Sequence, residues 1–396
     1  MKKISILGST GSIGLNALKI ASEHRSKIRV VALGAGHNIN LLLEQILDFE
    51  PYLVSVALEE NAIKLKDMLK SHPKGKWINT QIVFGDAGLI EVAKFDDAQM
   101  VLIATDGSTA LNATVAAIKA KKDIALATKE VLVMAGNLIT KLAKENNVKI
   151  IPVDSEHSAI YRCLKGVLRE ELKTVILTAS GGPFYNKEID FDKVSKEEAL
   201  SHPNWKMGKK ITIDSSTMMN KGLEIIEAKW LFNLKPEQID IVIHPESIIH
   251  SMVQTKDNSI LAQMSMPDMK GPIGYAFFNE NVEGYYPIKP LNFLEIGSLT
   301  FGKPDKKKFP LLQYAIDAMI HGPWDCISLN AANDVAVSAF LNGIIKFSEI
   351  HKVVIKTLDT SPGGKIRWGK SEPGDLESVW ECDRLSRTKA EQLLGR

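Results

Sequence analysis

The stretch KISILGSTGSIG, Lys3 to Gly14, decides the fold of the first part of this 396-residue chain. Ile4–Leu7 is a β-rich run, three glycines follow at Gly8, Gly11 and Gly14, and a helical apolar pattern starts at Leu15. Strand, glycine turn and helix stand in the order a dinucleotide-binding unit requires. In that unit Gly8 allows the tight turn, Gly11 lets backbone approach a pyrophosphate, and Gly14 lets the helix pack on the strand. The spacing is G-x-x-G-x-x-G instead of G-x-G-x-x-G, and its place directly after a clean N-terminal strand is what strengthens it.

Further β-rich runs follow at Arg29–Leu33, Leu53–Ala57, Gln81–Phe84, Met100–Ala104, Asp123–Ala127 and Lys149–Val153. Helically spaced apolar stretches such as Leu15–Ala21 and Leu41–Leu47 lie between them. This alternation predicts a parallel, doubly wound sheet over residues 1–150. A site for NAD ends its second strand with a carboxylate for the ribose 2′-hydroxyl. Here Val30–Leu33 runs into Gly34-Ala35-Gly36-His37-Asn38, without one. A 2′-phosphate is tolerated there, His37 and Asn38 can donate to it, and NADPH is the expected cofactor.

From Ile151 the character changes. Strands expected at Thr174–Thr178, Ile239–Ile243, Ser251–Gln254 and Ile260–Met264 surround one long helix, an α+β arrangement over residues 151–279. Residues 280–308 read as a connecting loop. Helices expected at Pro310–His321, Asp325–Leu341, Phe347–Leu358 and Leu376–Leu394 make a C-terminal bundle over residues 309–396, with a loop at Ser361–Gly374.

The segment Ser201–Glu227, SHPNWKMGKKITIDSSTMMNKGLEIIE, is the richest in chemistry. Its tail, from about Thr217, reads as a helix that buries Leu223, Ile226, Trp230 and Leu231. Asn220, Lys221 and Glu224 project together from another face. The run Asp214-Ser215-Ser216-Thr217 offers N-cap residues ahead of them. An amide, a cation and a carboxylate at a helix start form a candidate site for a phosphorylated small molecule. The bland alternative is a solvated face with an ordinary Lys–Glu pair.

Lys149–Val153 ends in Asp154-Ser155-Glu156-His157, and ligands of open α/β sheets meet the carboxyl ends of strands. In extended backbone, Asp154 and Glu156 point to one side. With a third oxygen ligand from Glu224, they suit Mg²⁺ or Mn²⁺, with Co²⁺ also accommodated. The alternative is N-capping of a following helix by Asp154 or Ser155. His157 reads as structural. Ala127-Thr128-Lys129-Glu130 and Thr178-Ala179-Ser180-Gly181-Gly182-Pro183-Phe184 also put polar groups at strand ends, and the second opens a segment suited to a mobile lid.

Composition excludes several classes. Net charge is +2, from 49 basic and 47 acidic residues, so neither nucleic acid nor a membrane surface is an expected partner. No apolar run reaches the roughly 20 residues of a membrane span. The three cysteines are far apart, which fits a reducing cytosol better than a disulfide framework. The first strand starts almost at Met1, and a cytoplasmic location is expected.

In order along nearly the whole chain stand GSTGSIG, ATKE, PVDSEH, TASGGPF, HPNWKMG, DSSTMMNKGLEIIEAKWLF, IHPESIIHSMV, PDMKGPI and LNAAND. Together they resemble the 1-deoxy-D-xylulose 5-phosphate reductoisomerase family. The resemblance implies a homodimer with a Rossmann-like NADPH domain, a central catalytic and dimerisation domain, and a C-terminal helical bundle. It implies NADPH contacts at Thr10, Gly11, Ser12, Ile13, Gly36, His37, Asn38, Thr128, Glu130 and Gly208. Asp154, Glu156 and Glu224 would hold the metal. Lys129, Ser155 and Glu156 would meet the sugar, and Ser180, His202, Ser215, Asn220 and Lys221 the phosphate end. Lys129 and His202 join the carboxylates as catalytic candidates.

The implied reaction is a metal-assisted rearrangement of the carbon skeleton followed by hydride transfer from NADPH, giving 2-C-methyl-D-erythritol 4-phosphate. Three departures stand out. The usual ANKES reads ATKEV, changing Thr128 and Val131. The usual small-residue turn carries Asp106-Gly107-Ser108-Thr109, and the usual HPQS reads His244-Pro245-Glu246-Ser247. An NADP-dependent dehydrogenase of another small anion is the rival, but it gives no reason for three carboxylates.

Overall fold

The computed structural model describes residues 1–105, 107–205, 207–278, 288–359 and 372–395, with backbone alone for residues 107 and 108. Asp106, most of the connecting loop's first part and most of the Ser361–Gly374 loop therefore lie outside the described residues. Strands and helices alternate first: β1 Lys2–Leu7, α1 Ser12–Glu23, β2 Ile28–Gly34, α2 Ile39–Phe49, β3 Leu53–Val56, α3 Glu59–Ser71, β4 Gln81–Phe84 and α4 Gly85–Ala93. The alternation continues through β5 Met100–Ile103, α5 Gly107–Lys119, β6 Asp123–Leu126, α6 Glu130–Glu145 and β7 Ile150–Pro152. Next come α7 Ser155–Cys163, β8 Leu172–Ala179, α8 Lys196–Ala199, α9 Lys209–Ser216, α10 Met219–Leu231, β9 Ile239–Ile243, β10 Ile249–Thr255, β11 Ile260–Met264 and α11 Lys270–Phe278. The chain closes with α12 Phe293–Ile296, α13 Pro310–His321, α14 Pro323–Leu341, α15 Phe347–Asp359 and α16 Leu376–Leu393. Among the described residues no helix is long and apolar enough to cross a membrane.

Two compact units form. The first comprises Met1–Val131, Lys141–Ser158 and Asp268–Lys289; the second comprises Leu132–Thr140, Ala159–Pro267 and Pro290–Arg396.

The first unit is built on a seven-stranded parallel sheet, ordered β4-β3-β2-β1-β5-β6-β7. The doubly wound expectation is borne out. Strands buried on both faces need near-continuous apolar runs, which is what Val30–Leu33 and Met100–Ile103 supply. Strand order reverses between β1 and β5, so the turns after these two strands flank the ligand crevice of such sheets. Gly8, in the first turn, has φ +83°, and a Cβ there would lie 2.1 Å from the Ala104 carbonyl oxygen. Only glycine lets the two turns come this close. Chain order does not decide which sheet a helix covers: α11 packs here, with Ile273 and Phe277 in the core and Lys2 Nζ donating to the Phe277 carbonyl at 2.7 Å.

In the second unit a four-stranded sheet runs β11-β10-β8-β9, with β8 and β9 parallel and the other pairs antiparallel. Its core includes rings of Phe184, Phe191, Phe309, Phe340 and Phe347, with neighbouring centroids 5.4–6.0 Å apart. Helix α10 is buried on nearly every side, polar residues included. The solvated-face alternative for Lys221 and Glu224 therefore fails.

Two local expectations are corrected. Asp214–Ser216 do not cap α10; they lie inside α9, and the residue before α10 is Met218 at φ +62° with no side-chain cap. The polar groups are used inward instead. The Ser216 hydroxyl donates to the Ile213 carbonyl at 2.7 Å, and the buried Asp214 accepts from Asn333 at 2.7 Å. Likewise Asp154 and Glu156 are not on extended backbone. β7 ends at Pro152, the Asp154 carbonyl accepts the Ser158 N–H at 2.8 Å, and Glu156 sits in the first turn of α7. A helix start, not strand alternation, sets their directions.

Candidate active site

Within the first unit the candidates gather at the carboxyl ends of β1, β2, β6 and β7. Thr10 and Ile13 are half-buried, while Gly11 and Ser12 are exposed at the start of α1. No side chain caps that helix, so its N-terminal N–H groups and dipole are available to an anion. Gly36, His37 and Asn38 are exposed beyond β2. Asn38 Oδ1 accepts from the Leu41 N–H at 3.2 Å as the cap of α2, which leaves its NH₂ group for donation. A residue the sequence reading missed ties α2 to the turn after β1. Gln45, 5 % exposed on α2, donates to the Ser9 carbonyl at 3.0 Å. A polar residue on the otherwise apolar stripe of α2 was the available signal.

Beyond β6, Lys129 is 4 % exposed and its ammonium forms an ion pair with Asp154. A lysine this buried needs a carboxylate partner. The carboxylate oxygens of Asp154 and Glu156 lie within 4.8 Å of one another. Ser155 donates from Oγ to Glu156 Oε2 at 2.5 Å. Two hard oxygen groups side by side fit a divalent cation of the Mg²⁺ type. Glu130, half-buried, opens α6. The substituted Thr128 donates to the Thr105 carbonyl at 2.7 Å and so joins the turns after β5 and β6. Val131 is fully buried, so a hydroxyl at this position would need an internal partner.

The second unit holds the remaining candidates. Lys221 and Glu224 are 3 % and 0 % exposed. Glu224 accepts on Oε1 from the Asn220 amide at 2.5 Å and pairs through Oε2 with the Lys221 ammonium. Ser180 Oγ lies 3.0 Å from His202 Nε2. His202 Nδ1 faces the N–H groups of Asn204 at 3.2 Å and Trp205 at 3.0 Å. Two donors on Nδ1 put the imidazole proton on Nε2, which then donates to Ser180. Gly182, at φ +69°, would push a Cβ to 2.6 Å from the Ser215 carbonyl, so the turn after β8 sits directly on α9. Ser215 is 8 % exposed near the end of that helix, and Gly208 is exposed at its start.

The loop between His202 and Gly208 is tied down at Asn204, whose Nδ2 donates to the Pro245 carbonyl at 2.5 Å and to Ser247 Oγ at 3.2 Å. The departing Glu246 has a local use: it accepts from Thr300 Oγ1 at 2.6 Å and lies 3.0 Å from His244 Nδ1. Burial works to raise its carboxyl, but the Thr300 bonds and the neighbouring His244 outweigh that and hold it below the ordinary value. Burial disfavours the thiolate at all three cysteines, Cys163 included. Burial pushes the Cys326 thiol up to about 12 and Cys382 up to about 11.

The family model for 1-deoxy-D-xylulose 5-phosphate reductoisomerase matches residues 4–136, and those for its C-terminal domains match residues 150–232 and 264–389. The reductoisomerase of Geotalea daltonii is 47 % identical over 100 % of this chain and 99 % of its own. That of Chlorobium phaeovibrioides is 46 % identical over 100 % of both. Among solved structures, a DOX-P reductoisomerase in complex with NADPH, fosmidomycin and magnesium has a TM-score of 0.93 at 39 % identity, covering 100 % of this chain and 98 % of that one. The Zymomonas mobilis enzyme in complex with NADPH has a TM-score of 0.89 at 36 % identity, covering 99 % of each chain. With motifs, fold and full-length similarity in agreement, the chain belongs to the 1-deoxy-D-xylulose 5-phosphate reductoisomerase family.

Proposed function

We propose that this chain converts 1-deoxy-D-xylulose 5-phosphate to 2-C-methyl-D-erythritol 4-phosphate, using NADPH and a divalent metal, in non-mevalonate isoprenoid biosynthesis. The single observation that carries this is family membership over the full chain. A dehydrogenase of another anion is not favoured.

Residue roles follow from chemistry. Asp154, Glu156 and Glu224 are the ligands for Mg²⁺ or Mn²⁺, which when bound supplies Lewis-acid polarisation of the substrate's oxygens. Lys129 balances Asp154 and, with Ser155, orients the sugar hydroxyls. Lys221, Asn220, Ser215, Ser180 and His202 bind the phosphate, whose binding energy holds the substrate in place for the reaction at the other end. Thr10–Ile13 take the pyrophosphate and Gly36–Asn38 the 2′-phosphate of NADPH. Thr128, Glu130 and Gly208 meet the rest of the cofactor. Residues 1–150 bind cofactor, 151–279 carry catalysis and dimerisation, 280–308 connect, and 309–396 form the helical domain.

The enzyme works as a homodimer in the cytoplasm. Support for self-association is the exposed Ile260 at the end of edge strand β11 and the exposed Phe293 and Leu294 on α12, apolar surface of the kind interfaces cover. Following NADPH loss with 1-deoxy-D-xylulose 5-phosphate, with Mg²⁺ and with a chelator, tests the reaction. Oxidation only with substrate and metal together is expected. Metal-independent oxidation would remove the carboxylates' role. Sedimentation at working concentration tests the dimer.

A further inference from the structure

The short helix α9 carries a charged face that no step above uses. Lys210 and Asp214, four residues apart, form a 3.0 Å ion pair along it. Asp214 is only 1 % exposed, so its charge is held in the interior, and one half-exposed lysine is thin compensation. Two C-terminal helices supply the rest. From α14, Asn333 donates to Asp214 Oδ1 at 2.7 Å, and its neighbour Asp334 lies 3.2 Å from Lys210 Nζ. From α16, Arg387 donates through Nη2 to Asp334 at 2.8 Å and through Nε to Asp383 at 2.7 Å. The order Asp383–Arg387–Asp334–Lys210–Asp214 therefore alternates in sign across three helices and ends next to Ser215.

Stability is a poor reason for such a chain of charges, because apolar residues of the same volume commonly do as well. Geometry is a better one. An eight-residue helix has little intrinsic stability and takes its place from its neighbours. The serine hydroxyl at its end must be set to within a fraction of an ångström to serve a bound group. Lys210 pairs with Asp334 and Asp214 accepts from Asn333, so α9 is held to α14 by directional contacts at two points four residues apart, which apolar packing does less sharply.

We propose that Asp334 is a positioning residue for the phosphate end of the substrate, acting through Lys210 and Asp214 to hold α9, and with it Ser215, in register. This rests on the reading of Ser215 as a phosphate contact. The C-terminal helices then have a role in substrate affinity without contributing a group to the substrate.

Asp334→Asn in the full-length enzyme keeps the shape and removes the charge. The expected result is a KM for 1-deoxy-D-xylulose 5-phosphate raised about tenfold, with kcat within about twofold. Competitive inhibition by inorganic phosphate should weaken by a similar factor, and Asp334→Glu should restore most of the affinity. Lys210→Met, which keeps the stem, is read the same way and serves if the first variant does not fold. An unchanged KM, or a fall in kcat with phosphate inhibition intact, overturns the proposal. Ser215→Ala separates the two ideas: if it leaves KM and phosphate inhibition unchanged, the phosphate reading of Ser215 fails. If it weakens both while Asp334→Asn weakens neither, the positioning role alone fails.

Discussion

Lys221 and Glu224 form an ion pair one helical turn apart on α10, with 4 % and 0 % of their side chains exposed. Placing two charges in the interior costs several kcal/mol per ion before pairing. An ordinary helix-surface pair contributes only about 0.3–0.5 kcal/mol, so surface stabilisation does not account for this one. Asn220 completes the arrangement by donating to the other oxygen of Glu224. An anionic oxygen pair and a cation thus sit side by side on one helix, and the proposed metal and phosphate roles draw on that arrangement.

Glu224→Gln is expected to abolish turnover while leaving NADPH affinity within about twofold, because the residues assigned to the adenosine end lie on the β1 and β2 turns. Removing the charge also takes the carboxylate from beside the buried Lys221, so a loss of about 3–5 kcal/mol in stability accompanies it. Cofactor titration by fluorescence, run beside a melting curve, distinguishes lost chemistry from lost fold. Activity retained at ordinary Mg²⁺ would take Glu224 out of the ligand set.

Much of this was legible in the chain itself. Glycine spacing and apolar runs located the parallel sheet, since Gly8 and the strand interiors obey steric rules that act locally. The polar clusters at Asp154 and Asn220 were also visible as unusual residue types. What local pattern does not carry is the direction in which a polar side chain is spent. Asp214 and Ser216 look like caps for the next helix, yet tertiary partners on α14 and the preceding turn claim them. Asp154 and Glu156 read equally well as strand neighbours or as a helix start capped by Asp154 or Ser155, and local sequence does not choose between the two. The docking of α11 on the first sheet depends on partners such as Lys2, some 275 residues away in sequence, which periodicity cannot see.

Lys221→Ala should raise the KM for substrate roughly ten- to a hundredfold, the loss of about 1.5–3 kcal/mol for a charge-assisted hydrogen bond to a desolvated phosphate. The discriminating measurement is a cycle with dephosphorylated substrate. In this variant the missing phosphate should cost little more, because the two changes remove one interaction. Losses that simply add would place Lys221 away from the phosphate.

NADPH is expected to be used in preference to NADH, since no carboxylate stands at Gly34–Asn38 to meet a 2′-hydroxyl and Asn38 keeps a free amide donor. Gly36→Asp or His37→Asp should weaken NADPH more than NADH, by like-charge repulsion of the 2′-phosphate. Equal use of both cofactors by the unmodified enzyme would contradict the assignment.

Trp205 gives the last test. Gly181-Gly182-Pro183 opens a segment without long helices, and His202–Gly208 closes it, with the Trp205 ring half-buried and 6.5 Å from the His250 ring. The backbone around it is pinned at His202 and Asn204, so the indole is presented by the loop and is not swallowed by the core. A fully buried Trp truncated to Ala costs about 3–5 kcal/mol. A half-buried one on a loop should cost far less, unless its contact is made to substrate, where its task is to exclude water. Trp205→Ala is therefore expected to lower kcat or substrate affinity with a shift in Tm of no more than about 3 °C. Protease cleavage in this loop, which Asn204 partly holds, should slow once NADPH and a phosphorylated ligand are bound. A large fall in Tm with normal kinetics would make Trp205 a core residue, and the lid would have to be abandoned.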